Sequence, residues 1–100
     1  MAIVFTPSAR AQFLAALAFI RQDKPDAAIR FRRRVEMALK RLLKFPESGR
    51  AIPEFPDLPH REVVVGPYRF FYRVRGKVVW IVAVWRGAQI PGGPGNIEAA

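Results

Sequence analysis

Cysteine is absent from this chain, and histidine occurs once, as His60. Without thiols there can be neither a disulfide framework nor a thiolate metal site, and one imidazole cannot form a histidine cluster. Glu54, Asp57 and Glu62 stand singly, so no paired-carboxylate constellation presents itself, and no cofactor is expected. Long hydrophobic runs are missing too. The apolar stretch at residues 13–20 is too short to span a bilayer and lacks the basic start and cleavage pattern of a signal peptide. A cytoplasmic protein with no membrane partner is the expectation. Acidic residues are scarce: 8 against 17 basic ones leave a formal charge of +9. This exceeds the ~2–8 that small domains carry for solubility, and it implies a polyanionic or acidic partner.

What remains is a chain of 100 residues, 51% hydrophobic, suited to one packed domain. Such a domain is marginally stable alone, so a bound partner adds usefully to it. Residues 2–5 (AIVF) read as a short strand that stops at Thr6-Pro7, a helix N-cap followed by a first-turn proline. The first helix is predicted over residues 7–22, with Phe13, Leu14, Leu17 and Ile20 as its apolar stripe and Ala16 and Phe19 at the margins. Asp23-Lys24-Pro25 ends it and begins a second helix over residues 25–44, giving an αα-hairpin. The second stripe is Ala28, Phe31, Val35, Ala38, Leu39, Leu42 and Phe45. The opposite face carries Arg30, Arg32, Arg33, Arg34, Lys40, Arg41 and Lys44, with Glu36 among them. Solvation, stems lying over apolar surface and the helix dipole account for part of that run, and a functional surface is the alternative.

Residues 45–60 contain Pro46, Pro53, Pro56 and Pro59, which rule out a central strand; Ile52, Phe55 and Leu58 are expected to pin this loop to the core. A loop this long in a small domain hints at function. Residues 61–86 then read as three strands joined at Gly66-Pro67 and Gly76-Lys77, both suited to type II′ turns. Along the middle strand Tyr68, Phe70, Tyr72 and Val74 point one way, and Arg69, Phe71, Arg73 and Arg75 the other. A two-residue turn at Gly76-Lys77 pairs Arg73 with Trp80, Tyr72 with Ile81, Phe70 with Ala83, Arg69 with Val84 and Tyr68 with Trp85. That register sets Arg86 one diagonal step from Arg69 on the same face, within reach of one anion. Arg73 can stack on Trp80, and Arg75 beside the turn can simply be solvated. The expected order is β-α-α-β-β-β: an α+β domain over residues 1–90, with an antiparallel sheet under a helical hairpin and a flexible Pro/Gly-rich tail at 91–100.

The segment FPESGRAIPEFPDLPHREVVVGPYRFFYRVRGKVVWIVAVWRGA resembles the RelE/ParE superfamily of bacterial toxins. Its P-E-S-G-R turn, its G-P-Y-R-x-x-Y-R-V block and a hydrophobic last strand running into W-R-G-A carry the likeness, which spans residues 3–88 with the helices included. The resemblance implies the toxin of a type II toxin–antitoxin module, neutralised by a cognate antitoxin expected to be acidic and to fold on binding. Two branches imply different work. ParE-like members poison DNA gyrase; RelE-like members cleave mRNA on the ribosome. Arg69 matches the sheet arginine of the ribonuclease branch, and Arg86 lies where that branch keeps another basic residue. Metal-free RNA cleavage needs groups to activate the 2′-OH and to hold the phosphate. This chain has no tyrosine after Tyr72, Tyr68 and Tyr72 fall on the packed face, and His60 beside Pro59 reads better as a bystander than as a base. The ParE-like reading is therefore favoured, with Arg61, Arg69, Arg73 and Arg86 as target-binding residues. The alternative is a ribosome-dependent endoribonuclease with Arg69 and Arg86 as its catalytic candidates. The first or the last strand is the expected sheet edge for an antitoxin.

Overall fold

In the computed structural model, which describes residues 1–87, Thr6 is the hinge between the first strand and the first helix. Its backbone is extended (φ −65°, ψ 158°), and the Ala9 N–H donates to its hydroxyl at 3.2 Å, which satisfies one of the free first-turn donors. Strand β1 (Ala2–Phe5) precedes this cap and helix α1 (Pro7–Asp23) follows it. Lys24 serves both helices, ending α1 through its N–H to the Ile20 carbonyl (3.0 Å) and opening α2 (Pro25–Lys44) ahead of Pro25. Then come β2 (Arg50–Ala51), β3 (Arg61–Val65), β4 (Tyr68–Arg75) and β5 (Val78–Arg86).

The α+β architecture and the element order are as expected, with two differences. A two-residue strand, β2, forms inside the proline-rich loop and pairs with β3, Arg50 opposite Glu62. The sheet is also mixed rather than wholly antiparallel. Its order is β1-β5-β4-β3-β2, and β1 runs parallel to β5, with Ala2 opposite Val78 and Phe5 opposite Ile81. A parallel neighbour needs a long crossover, and the intervening helices and hairpins supply one.

Both predicted turns form. Gly66 and Gly76 have φ of 59° and 60°, while no other residue type has positive φ among the described residues, so neither Pro67 nor Lys77 follows them into that region. Positive φ at the first turn position alone is the type II′ pattern.

The register of β4 against β5 departs from the simple ladder. It holds from Arg75↔Val78 to Tyr72↔Ile81, then slips by one residue, so that Phe71 faces Ala83, Phe70 faces Val84, Arg69 faces Trp85 and Tyr68 faces Arg86. Val82 is the extra residue, and both Val82 and Ala83 turn to the same face. Such a bulge reverses the facing of everything beyond it. Arg86 therefore shares a face with Tyr68, not with Arg69.

Each face of the sheet has its own cover. On one, Phe31, Val35, Leu39 and Leu42 of α2 and Ala9 and Ala16 of α1 pack on Tyr68, Phe70, Tyr72, Val79, Ile81 and Val84. Phe13 is the junction, its ring centroid 5.6 Å from Phe5, 5.8 Å from Phe70 and 6.3 Å from Phe31. The predicted α2 stripe is the buried one, with Ala38 half-buried at its edge, except for Phe45, which lies past the helix end and is exposed. In α1 the small residues Ala9 and Ala16 approach the sheet most closely, which turns Leu14 and Phe19 outward to 52% and 55% exposure. On the other face Ile52, Phe55 and Leu58 pack on Phe71, Trp80, Val82, Ala83 and Trp85. Successive turns make this possible: Phe55 N–H donates to the Ile52 carbonyl (3.0 Å) and Leu58 N–H to the Phe55 carbonyl (3.1 Å), so every third side chain faces the sheet. The tail at 91–100 and the end of the domain at residue 90 lie outside the described residues.

Candidate functional site

The loop cover changes the setting of the arginine face. Arg69, expected toward solvent, is buried, its side chain 9% exposed. Its Nε donates to Glu62 (2.7 Å), one terminal nitrogen to Glu54 (2.7 Å) and the Gly87 carbonyl (3.3 Å), and the other to Glu54 (2.6 Å). Those contacts occupy four of the five guanidinium N–H groups. The fully buried Glu62 carboxylate also accepts from Arg50 Nε at 2.5 Å, and the Arg69 guanidinium carbon lies 5.1 Å from the Phe71 ring centre. Two arginines and two glutamates make a neutral cluster between the loop, β2, β3 and β4. The Arg69 hydrogen bond holds the Glu54 carboxyl down at about 2 from 4.5, and bonding to Glu54 raises Arg69 further above its ordinary value.

The other sequence-selected residues lie apart from Arg69. Arg86 is exposed at the end of β5, on the helix-covered face, with its guanidinium carbon 5.8 Å from the Phe19 ring centre. The structure does not bring Arg69 and Arg86 to one anion, because the Val82 bulge puts the sheet between them. Arg61 is half-buried opposite Tyr72 and donates to the Gly49 carbonyl at 2.9 Å. Arg73 is half-buried opposite Trp80, in the predicted pairing. His60 is 1% exposed, out of reach of an external substrate. No three His, Cys, Asp or Glu side chains among the described residues converge as a metal site.

The P-E-S-G-R turn acquires a physical meaning. Gly49 N–H donates to the Tyr72 hydroxyl at 2.9 Å, and a Cβ at Gly49 would stand 2.5 Å from that oxygen and 2.7 Å from the Glu62 carbonyl oxygen. Only glycine lets the loop approach the sheet so closely. Arg50, the next residue, reaches Glu62. Burial pushes the Tyr72 phenol above its ordinary value, so it stays neutral as a structural hydrogen-bonding group. Residue spacing marked the turn but carried no signal that Glu54 and Glu62 are partners of Arg69.

Concave apolar surfaces with basic rims occur at the end of α2 and beside β1. At the end of α2, Met37, Leu43 and Phe45, exposed by 73%, 41% and 58%, line a shelf of about 560 Å³ with Lys40, Arg41 and Lys44. Beside β1 a cleft of about 580 Å³ is lined by Val4, Phe5, Phe13, Leu14 and Leu17 with Arg10 and Arg32. Exposed apolar groups edged by cations fit partner binding better than chemistry. The last strand, β5, expected as a possible edge, lies inside the sheet between β1 and β4; among the described residues the open edges are β1 and residues 63–65 of β3, since β2 covers only Arg61 and Glu62, and Val64 is 51% exposed.

No curated protein matches the chain. A solved structure, the chromosomal ParDE TA system from P. aeruginosa, is similar in fold, with a TM-score of 0.71 at 21% identity over 87% of this chain and 96% of that one. The model of the ParE toxin of type II toxin–antitoxin system, parDE, matches residues 3–91. With nearly its whole length under that match, the chain belongs to the ParE toxin family of type II toxin–antitoxin systems.

Proposed function

We propose that this protein poisons DNA gyrase in the cytoplasm and is held inactive by a cognate antitoxin with an acidic segment that folds on binding. The observation that carries the reading is the state of Arg69. A phosphate-holding arginine must have donors to offer, and Arg69 has four of its five engaged by Glu54, Glu62 and Gly87. Arg86, the other half of the supposed clamp, projects from the opposite face. With His60 buried, no described group stands ready as a base for RNA cleavage. Binding is the work that remains, and Arg86, beside the exposed Phe19, is the target-facing candidate. Arg61 and Arg73, both half-buried, contribute at most at the margins.

The surface suits the antitoxin half of the proposal. Both apolar concavities have basic rims, so an acidic amphipathic segment gains apolar burial and charge complementarity together. Residues 63–65 of β3 and the outer edge of β1 offer backbone groups for strand addition.

A supercoiling assay with purified gyrase tests the target. The full chain should inhibit supercoiling at stoichiometric excess, and Arg86→Ala should weaken inhibition while melting at the wild-type temperature. Unchanged supercoiling at excess wild-type chain overturns the reading.

A further inference from the structure

We propose that the outward face of α2 is a binding surface for the phosphate backbone of duplex DNA. Opposite the buried line of Ala28, Phe31, Val35, Leu39 and Leu42, the helix carries Arg30, Arg33, Arg34, Lys40, Arg41 and Lys44, all exposed. None of the six forms an ion pair among the described residues. The helix has two acids: Asp26 sits in the first turn, and Glu36 is engaged at 3.1 Å by Arg32, a seventh cation outside this stripe. Unlike Arg69, then, these cations have donors to offer.

Their spacing is the argument. Arg30, Arg33, Lys40 and Lys44 follow one another at intervals of three, seven and four residues, one turn, two turns and one turn of helix, so they lie along one line, and Arg34 and Arg41 flank it. From Arg30 to Lys44 is 14 residues, about 21 Å of rigid helix at 1.5 Å per residue. Phosphates on one strand of a duplex advance ~3.4 Å per base pair along the axis, so the line spans roughly six steps. A rigid row of cations matches a rigid row of anions.

Two other polyanions fit less well. An acidic amphipathic protein segment needs apolar anchors between the charges, and along the line these are few: Met37 within it and Ile29 at its start, while Leu43 and Phe45 belong to the shelf at its end, whose rim shares Lys40, Arg41 and Lys44 with the line. Single-stranded nucleic acid is gripped by aromatic platforms as well as charge, and the only ring in α2, Phe31, is buried. The inference does not depend on the gyrase reading, because it rests on the charge geometry of α2 alone.

The test is fluorescence anisotropy with the full chain from cell-free synthesis and a labelled 20-base-pair DNA duplex, titrated from 50 to 200 mM salt. If six phosphates are contacted, log K against log salt should have a slope of about −5. The variant R30Q/R33Q/K40Q/K44Q should keep its circular dichroism and melting temperature, lower the slope to about −2 and weaken binding at least a hundredfold at 100 mM salt. R75Q/K77Q, on the β4–β5 turn and outside the α2 line, should stay within about threefold of wild type. The proposal is overturned if the duplex does not bind at 50 mM salt, or if R75Q/K77Q loses as much as the α2 variant does per charge removed. It is overturned equally if polyglutamate or single-stranded RNA binds α2 more tightly than the duplex.

Discussion

The two faces of the sheet solve the same problem with different chemistry. The helix side is an apolar core in the ordinary sense, with Phe70, Tyr72, Leu42, Val79 and Ile81 nearly inaccessible and aromatic contacts from Phe5 to Phe31 through Phe13. The loop side has a smaller apolar cluster and a neutral ionic one, in which Glu62 is as buried as Phe70. Helices bury area and need little else. A proline-rich loop offers few apolar side chains, so it is fastened at defined points by Gly49, Arg50, Glu54 and Ile52. A basic strand position thus becomes structural when carboxylates meet it, while an equally basic helix stays free to bind.

The largest expected effects compare the faces directly. Phe70→Ala should lower urea stability by about 3–5 kcal/mol by opening a cavity, and Glu62→Ala by about 3 kcal/mol by leaving the buried Arg69 Nε–H without its acceptor while Glu54 still balances the charge. If Glu62→Ala loses less than ~1 kcal/mol, the ionic cluster does not hold the loop face. The double variant E62L/R69M should be less damaging than the sum of its singles by at least ~1 kcal/mol, since replacing the buried pair together leaves only the part-exposed Glu54 and Arg50 without partners.

A smaller effect sits where the loop touches the sheet. Gly49→Ala should cost about 1–3 kcal/mol, because its methyl group collides with the Tyr72 hydroxyl and backbone of β3. Glycine-like stability in that variant would mean that the loop approaches less closely than described.

Acid should act through Glu54. Its carboxyl is depressed from 4.5 to about 2 in the folded chain, so its contribution is complete above the unfolded value and is lost as the pH falls through about 2. The stability gap between wild type and Glu54→Gln should be constant above pH 5 and narrow between 4.5 and 2. With this side chain 37% exposed, solvent screening keeps the gap below ~1 kcal/mol. A gap independent of pH from 5 to 2 would place its origin elsewhere. Least of all, removing the exposed Arg32–Glu36 pair by Arg32→Ala should change stability by about 0.2–0.5 kcal/mol, which separates surface pairing from the buried cluster. A loss above ~1 kcal/mol would erase that distinction.

Periodicity and turn chemistry made much of this legible in advance. The Thr6-Pro7 cap, the Lys24-Pro25 break, the α2 stripe, both glycine-led turns and the facing of Tyr68 against Arg69 are local properties, set by dihedral preferences within a few residues. Spacing put Leu14 in the α1 stripe and Phe19 at its margin, yet both are exposed, because alanines can approach a sheet more closely than large side chains do. Three features depend on contacts across the fold. The Val82 bulge arises from how β5 meets β4 and moved Arg86 to the far face. The loop at residues 45–60 chose its side of the sheet through Ile52, Phe55 and Leu58. Glu54 and Glu62, 15 and 7 residues from Arg69 along the chain, reached its guanidinium only once loop and strand had docked. A side chain's type and facing are written locally, but whether it is free to act depends on which charges the rest of the chain brings against it.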